Sequence, residues 1–316
     1  MNRRIINNLS QNVQGIVCLI FALLCLTVSD AIIKWLSSTY ALHEITLIRA
    51  LFALTMVVVF AKYFGDLSRV RTRRLGLHLI RGFMLVLANI FFFLGLSVMP
   101  LATTVALFYC APFFICILAR VILHEPVGLP RWMAIAAGML GVVVIAQPGG
   151  TDFSWSVFLP VGAAFTYSLM VMMTRKLAIS DSAESMSFYI QACFLIFSLL
   201  SGLLIGDGRF NTFDHPTLDF LLRAWLWPSL KDFQILLICG AASAAGTYLL
   251  SQSYRIAQAS VVAPFEYVSL PFAIAVGFIV WGDLPGLSDY IGSALIVCSG
   301  LVVVYFEARL RRMAKT

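Results

Sequence analysis

The chain has 316 residues, of which 61% are hydrophobic and 12% charged, with a mean hydropathy of +0.94. Soluble domains run nearer about 45–50% apolar with about a quarter of their residues charged, so a soluble enzyme or binding module is excluded and an integral membrane protein is implied. The net charge of +7 would suit nucleic acid as a partner, but its distribution along the chain assigns it to membrane topology instead.

A membrane-crossing helix needs about 20 mostly apolar residues. Such windows fall at residues 13–36, 45–64, 75–98, 101–123, 130–146, 155–177, 186–205, 233–253, 260–281 and 287–306. The predicted fold is therefore all-α integral membrane with ten transmembrane helices, leaving no room for a separate soluble domain. Arg3 and Arg4 resemble the start of a signal peptide. The apolar run behind them is long and lacks a small-residue cleavage site, so it reads as span 1. With the N-terminus inside, all but five of the 22 Lys and Arg lie on one side or its edge, the exceptions being Lys34, Arg49, Arg209, Arg223 and Lys231. That bias places both termini in the cytoplasm and makes the lipid bilayer the partner of the chain.

In chain order, span 1 carries Ser29, Asp30 and Lys34. Asp30 and Lys34 are one helical turn apart and either neutralise each other or serve a solute. Arg49 opens span 2 as a third member of that cluster or as an interfacial, snorkelling side chain. Span 3 carries Asn89, which must find hydrogen-bond partners at depth, as helix glue or as a substrate contact. Span 4 carries Tyr109 just before Pro112, a proline that removes a backbone donor and predicts a local break. Span 6 brings Thr166 and Tyr167, and span 8 brings Tyr248 and Gln252. Between spans 7 and 8, residues 206–231 mix apolar and charged side chains. With Trp225 and Trp227 they read as an interfacial helix on the outer leaflet, a lid over a cavity mouth being the alternative.

Span 9 holds the sharpest clue. Glu266, followed by Tyr267, lies between Pro264 and Pro271 in an otherwise apolar run. A carboxylate in hydrocarbon costs several kcal/mol and marks a solute or proton path; the flanking prolines predict an irregular helix there. The seven Cys fall inside apolar runs without a C-x-x-C pair and the four His are scattered, so no metal site is expected. Small residues at four-residue spacing (Ala134/Gly138, Ala137/Gly141, Gly240/Ala244, Ala242/Gly246) predict close helix packing, with a homodimer seam as the sharper alternative.

The chain also repeats itself. Ala102-Thr-Thr-Val-Ala-Leu-Phe-Tyr-Cys-Ala-Pro112-Phe parallels Ala259-Ser-Val-Val-Ala-Pro-Phe-Glu-Tyr-Val-Ser-Leu-Pro271-Phe, and Glu125-Pro126 and Asp283-Leu-Pro285 follow in turn. Residues 1–150 and 151–316 thus read as two five-span units. A copy with an odd number of spans inserts upside down, which predicts an inverted repeat about an axis in the membrane plane, the arrangement of many secondary transporters.

Several stretches resemble the EamA-type drug/metabolite transporter superfamily: Ser29-Asp-Ala-Ile-Ile-Lys34, Leu47-Ile-Arg49, Thr72-Arg-Arg74 to Arg81-Gly82, Pro100-Leu-Ala-Thr-Thr-Val-Ala-Leu-Phe to Pro112, and Glu125-Pro126 before Gly138-Met-Leu-Gly141. The resemblance covers nearly the whole chain as two EamA units. It implies a ten-helix inner-membrane carrier of small organic solutes, with a central cavity lined by spans 1, 3, 4, 6, 8 and 9. Family substrates include amino acids, riboflavin, S-adenosylmethionine, sugars and cationic compounds. Residues 206–231 are longer than the family usually has there.

The expectation is a proton-coupled secondary transporter working by alternating access. Glu266 would carry the coupling proton or balance a cationic substrate, and Asp30 would set the field on the outer side. Asn89, Tyr109, Tyr167, Tyr248, Gln252 and Tyr267 would complete the wall around an amino-acid-like or S-adenosylmethionine-type solute; a riboflavin-type uptake carrier is the alternative. No cofactor is expected, and no G-x-x-x-x-G-K-[ST] motif offers direct ATP drive. An intramembrane enzyme would need H-E-x-x-H, G-x-S-x-G or clustered histidines, which the sequence lacks. A non-transporting scaffold would have no use for Glu266.

Overall fold

Apolar runs in hydrocarbon can satisfy their backbone groups internally only as helices or closed barrels. In the computed structural model, which describes residues 2–64, 72–122, 129–146, 154–177, 181, 183–212, 215–256 and 263–313, the described residues form helices and turns alone. The elements are α1 (Asn2–Leu36), α2 (Leu42–Phe64), α3 (Leu75–Val98), α4 (Leu101–Phe108), α5 (Ala111–Ile122), α6 (Leu129–Ala146), α7 (Phe158–Leu177), α8 (Ala183–Ile205), α9 (Pro216–Leu222), α10 (Leu230–Ile256), α11 (Ser269–Trp281) and α12 (Leu287–Met313). Short 3₁₀ turns, Trp155–Val157 and Ala263–Val268, lead into α7 and towards α11. Among the described residues six helices are long and apolar enough to cross a membrane, and shorter apolar helical stretches at Leu101–Ile115, Ala136–Ile145, Phe265–Trp281 and Leu287–Ser299 lie at the remaining predicted positions. Glu125-Pro126, residues 260–262 at the start of span 9, and Arg69 with Arg71 lie outside the described residues.

Helix pairing is specific. α1 runs antiparallel along α10: Ser253 Oγ donates to Gly15 O at 2.7 Å, Ser29 Oγ lies 3.4 Å from Cys239 Sγ, and Tyr40 donates to Asp232 at 2.8 Å. In the same way α3 runs antiparallel along α7, with Gly95 against Pro160, Gly162 against Phe91, and Arg81 bonded to Thr174. α2 faces α8, α6 lies along α12, and α4 packs on α11. Because lipid tails are as apolar as leucine, such pairs are held by close packing and hydrogen bonds. A Cβ on Gly141 would fall 2.7 Å from Gly292 O, and one on Gly246 2.8 Å from Leu26. Gly138 and Gly240 likewise press on Phe113 and Phe52, so the glycines of the four predicted small-residue pairs serve packing within the chain. Leu199, Leu200, Leu203 and Leu204 of α8 stay exposed, a strip that hydrocarbon would cover.

Residues 206–231 depart from the expected leaflet-bound helix. Gly208 turns the chain with φ 74° in the left-handed region. His215 caps α9 by accepting from Thr217 N–H, and Arg223 closes its other end on Asp219, holding that carboxyl below its usual range. α9 packs on α2 and α3 with Phe220 fully buried, and the Trp225 ring lies where a side chain on Gly202 would be. Trp227, 99% exposed, keeps the pattern of a headgroup residue, and Trp225 is partly exposed as well. Four hydrogen bonds clasp this region to residues 37–44: Arg223 Nη1 to Ser37 O (3.4 Å), Leu226 N to Glu44 Oε2 (3.3 Å), Ser229 N to Tyr40 OH (3.3 Å) and Tyr40 OH to Asp232 Oδ2 (2.8 Å). Phe220 finds protein partners on α2 and α3, which a lone interfacial helix would lack, while Phe210, Leu226 and Leu230 stay exposed.

Candidate functional site

Two helices break in facing positions. α4 ends at Phe108, Tyr109 and Cys110 form a turn, and α5 restarts at Ala111. Pro112 has no N–H to offer the Phe108 carbonyl, so the ladder cannot run through this point. Opposite, Glu266 and Tyr267 lie in the 3₁₀ turn before α11, where Pro271 leaves the Tyr267 carbonyl without its helical donor. The irregularity predicted around both prolines is present.

The breaks are joined by Tyr109. Its hydroxyl donates to Glu266 O at 2.6 Å and makes a short hydrogen bond with Ser269 Oγ. Its ring lies 5.1 Å from Tyr267, while Phe108 lies 5.3 Å from Tyr167 on α7. Tyr109 and Tyr267 are buried, Tyr167 and Glu266 half-buried, and Glu266 is in electrostatic reach of the Tyr109 and Tyr167 hydroxyls. Beside them Ser168 Oγ donates to Ala111 O at 3.0 Å, giving the restart of α5 a polar contact from α7. Four predicted residues (Tyr109, Tyr167, Glu266 and Tyr267) thus come together from α4, α7 and the turn before α11. Aromatic faces, hydroxyls and a carboxylate at two helix breaks can stack on, hydrogen-bond and charge-match an amphipathic solute. Ser269 was not foreseen. Thr166 instead turns its hydroxyl back to Gly162 and Ala163 of its own helix.

Asp30 and Asn89 belong to a second group, built on Arg49. Arg49 is only 5% exposed, its Nη2 reaches Asn89 Oδ1 at 3.5 Å, and its guanidinium lies between the Phe93 and Phe194 rings, in electrostatic reach of Asp30. The snorkelling alternative is therefore wrong: α3 and α8 close over Arg49. Pairing of Asp30 with Lys34 is wrong as well. Lys34 Nζ donates to Met99 O at 2.6 Å and sits 5.2 Å from the Trp281 ring, because the α3–α4 junction offers it a carbonyl. Tyr248 and Gln252 stand half-buried one turn apart on α10, in the half of that helix nearer Ile256.

Arg81, expected only as a topology marker, is a buried brace: Nε donates to Thr174 Oγ1 at 2.8 Å and Nη1 to Met186 O at 3.2 Å, tying α3 to α7 and α8. One turn earlier, His78 Nε2 lies 3.4 Å from Asp181 Oδ1.

The fold is that of an all-helical protein with several helices long and apolar enough to cross a membrane. Residues 13–147 match the EamA-like transporter family. Along most of its length the chain is similar to the riboflavin transporter of Vibrio cholerae (28% identity over 95% of each chain) and to the S-adenosylmethionine uptake transporter of Rickettsia conorii (25% identity over 93% of this chain and 94% of the relative). A riboflavin transporter of Rhizobium johnstonii is 27% identical over 96% of this chain and 95% of its own. A solved crystal structure covering 95% of this chain and 98% of its own superposes with a TM-score of 0.63 at 16% identity, which establishes a common fold. Over residues 13–147 the chain is thus similar to the EamA-like transporter family.

Proposed function

We propose that this protein is a secondary carrier of a small organic metabolite in the bacterial inner membrane, built from two inverted five-helix repeats and working by alternating access. It is a carrier and no enzyme, with both termini cytoplasmic. The helix pairing supports the repeat. Exchanging the first five spans for the last five turns the α1–α10 pair into the α7–α3 pair and returns α2–α8, α4–α11 and α6–α12 to themselves. Both broken spans, the fourth and the ninth, are counterparts in that exchange.

The observation that carries the reading is the hydrogen bond from Tyr109 to the Glu266 backbone carbonyl, which supports a carboxylate residue at facing helix breaks as part of an intramembrane site. Asp30, Asn89, Tyr109, Tyr167, Tyr248, Gln252, Glu266 and Tyr267 are proposed to line the solute path, with Glu266 and Asp30 exchanging the coupling proton. The names of the relatives support an S-adenosylmethionine-type solute, amino-acid-like and cationic, with riboflavin as the second reading. The test is uptake of radiolabelled S-adenosylmethionine and riboflavin into proteoliposomes under an imposed pH gradient. Wild type accumulates one of them and Glu266→Gln does not, while eluting as a folded protein. Wild-type rates in Glu266→Gln would remove that residue from the mechanism.

A further inference from the structure

A cleft opens between α2, α3 and α8 beneath Leu221 of α9, lined among others by His43, Thr46, Asn89, Phe93, Phe194 and Ser198. Tyr109, Tyr167, Glu266 and Tyr267 are not among its lining residues, and Asn89 is the one residue of the proposed solute path that is. Two of its walls are polar, deeply buried and unsatisfied: His43 is 3% and Ser198 1% exposed, and neither the two His43 ring nitrogens nor Ser198 Oγ has a hydrogen-bond partner.

Arg49 lies behind this lining. Its guanidinium carbon is 5.6 Å from the Phe93 ring centre and 5.3 Å from that of Phe194, and its hydrogen bond to Asn89 is long at 3.5 Å. Its Nε has no hydrogen-bond partner. A guanidinium has five donors, and a buried one is costly until an anion and full hydrogen bonding compensate it. Asp30 supplies charge at a distance, and the directional bonds are still missing. A carboxylate matches the planar fork of arginine two bonds at a time.

We infer that this cleft is a carboxylate-binding subsite, in which Arg49 and Asn89 take the α-carboxylate of a zwitterionic solute, with His43 and Ser198 as further hydrogen-bond groups. The inference rests on the carrier reading for the solute's presence and adds its chemical class: the cargo, or a molecule waiting to become cargo, bears an α-carboxylate. Arg49 acts here as a specificity residue.

The test is equilibrium binding to purified full-length protein in detergent of radiolabelled S-adenosylmethionine and of its carboxyl methyl ester, with riboflavin as a probe lacking a carboxylate. Wild type should bind the acid at least about tenfold tighter than the ester, the loss expected when a charge-assisted pair is removed. Arg49→Gln should abolish that preference by weakening binding of the acid, and Ser198→Phe, which fills the cleft from α8, should remove the preference as well. The acid–ester comparison in wild type needs no variant, so a misfolded Arg49→Gln would not shield the inference. Equal affinity of wild type for acid and ester overturns it, as does a preference that survives both variants. Binding and uptake of riboflavin alone overturn it and leave the carrier reading standing. Uptake of no solute by wild type overturns both.

Discussion

Removing one oxygen, in Tyr109→Phe, tests whether the two helix breaks are coupled. The Tyr109 hydroxyl is shared between Glu266 O and Ser269 Oγ. A net hydrogen bond contributes about 0.5–1.5 kcal/mol, and interhelical ones in membranes average about 0.6 kcal/mol. Two such bonds in a group that is 7% exposed give an expected loss of about 1–2 kcal/mol for Tyr109→Phe. Ser269→Ala alone should cost less, because a helical serine can also turn to a carbonyl of its own helix. If the hydroxyls bond to each other, the double variant is less destabilised than the sum of the singles, by about 0.5–1 kcal/mol. The assay is reversible unfolding in mixed detergent micelles, read by tryptophan fluorescence, for all four corners of the cycle. Strict additivity would refute a Tyr109–Ser269 bond.

Gly141→Val should lower the unfolding free energy by about 1–3 kcal/mol, because the new side chain meets the Gly292 carbonyl where α6 crosses α12; unchanged melting would contradict that contact. Arg81→Gln should cost about 2–4 kcal/mol by removing charged bonds to Thr174 and Met186 O, and Arg81→Lys should rescue little because a point charge cannot span both acceptors. Thermal melts of both variants check this, and full rescue by lysine would show that the two directional bonds are not what Arg81 contributes. Asp30→Asn should weaken binding of a cationic solute several-fold while Lys34→Met leaves it unchanged, since Lys34 is engaged with Met99 O rather than with Asp30. Equal losses in the two variants would restore the Asp30–Lys34 pair.

What was legible in the sequence follows from what each signal measures. Apolar length located the helices, and proline chemistry located both breaks, because a missing N–H acts within one turn whatever packs outside it. The identity of a partner 65 residues away is a different matter. Lys34 looked paired with Asp30 because the two share a helix face, yet the Met99 carbonyl is presented by another helix end. Arg49 looked interfacial because only its distance from the end of the span was visible, and its burial depends on Phe93 and Phe194 from α3 and α8. Ser269 was missed because a serine in an apolar run satisfies itself locally as a rule. Trp225 carried an interfacial signature, and the glycine that receives its ring, Gly202, gives no sign of a tryptophan partner. Whether a residue faces lipid, protein or solute is set by helix rotation, which composition does not encode.

The central claim is that the paired breaks are reached from both faces of the membrane in turn. The direct measurement replaces Ser269, which meets Tyr109 between the two breaks, by a single cysteine in a background without the seven native ones. A membrane-impermeant thiol reagent is then applied to right-side-out and inverted vesicles, with and without transported solute. Alternating access predicts labelling from either face, with solute shifting the balance between them. Labelling from one face only, in every condition, would contradict it.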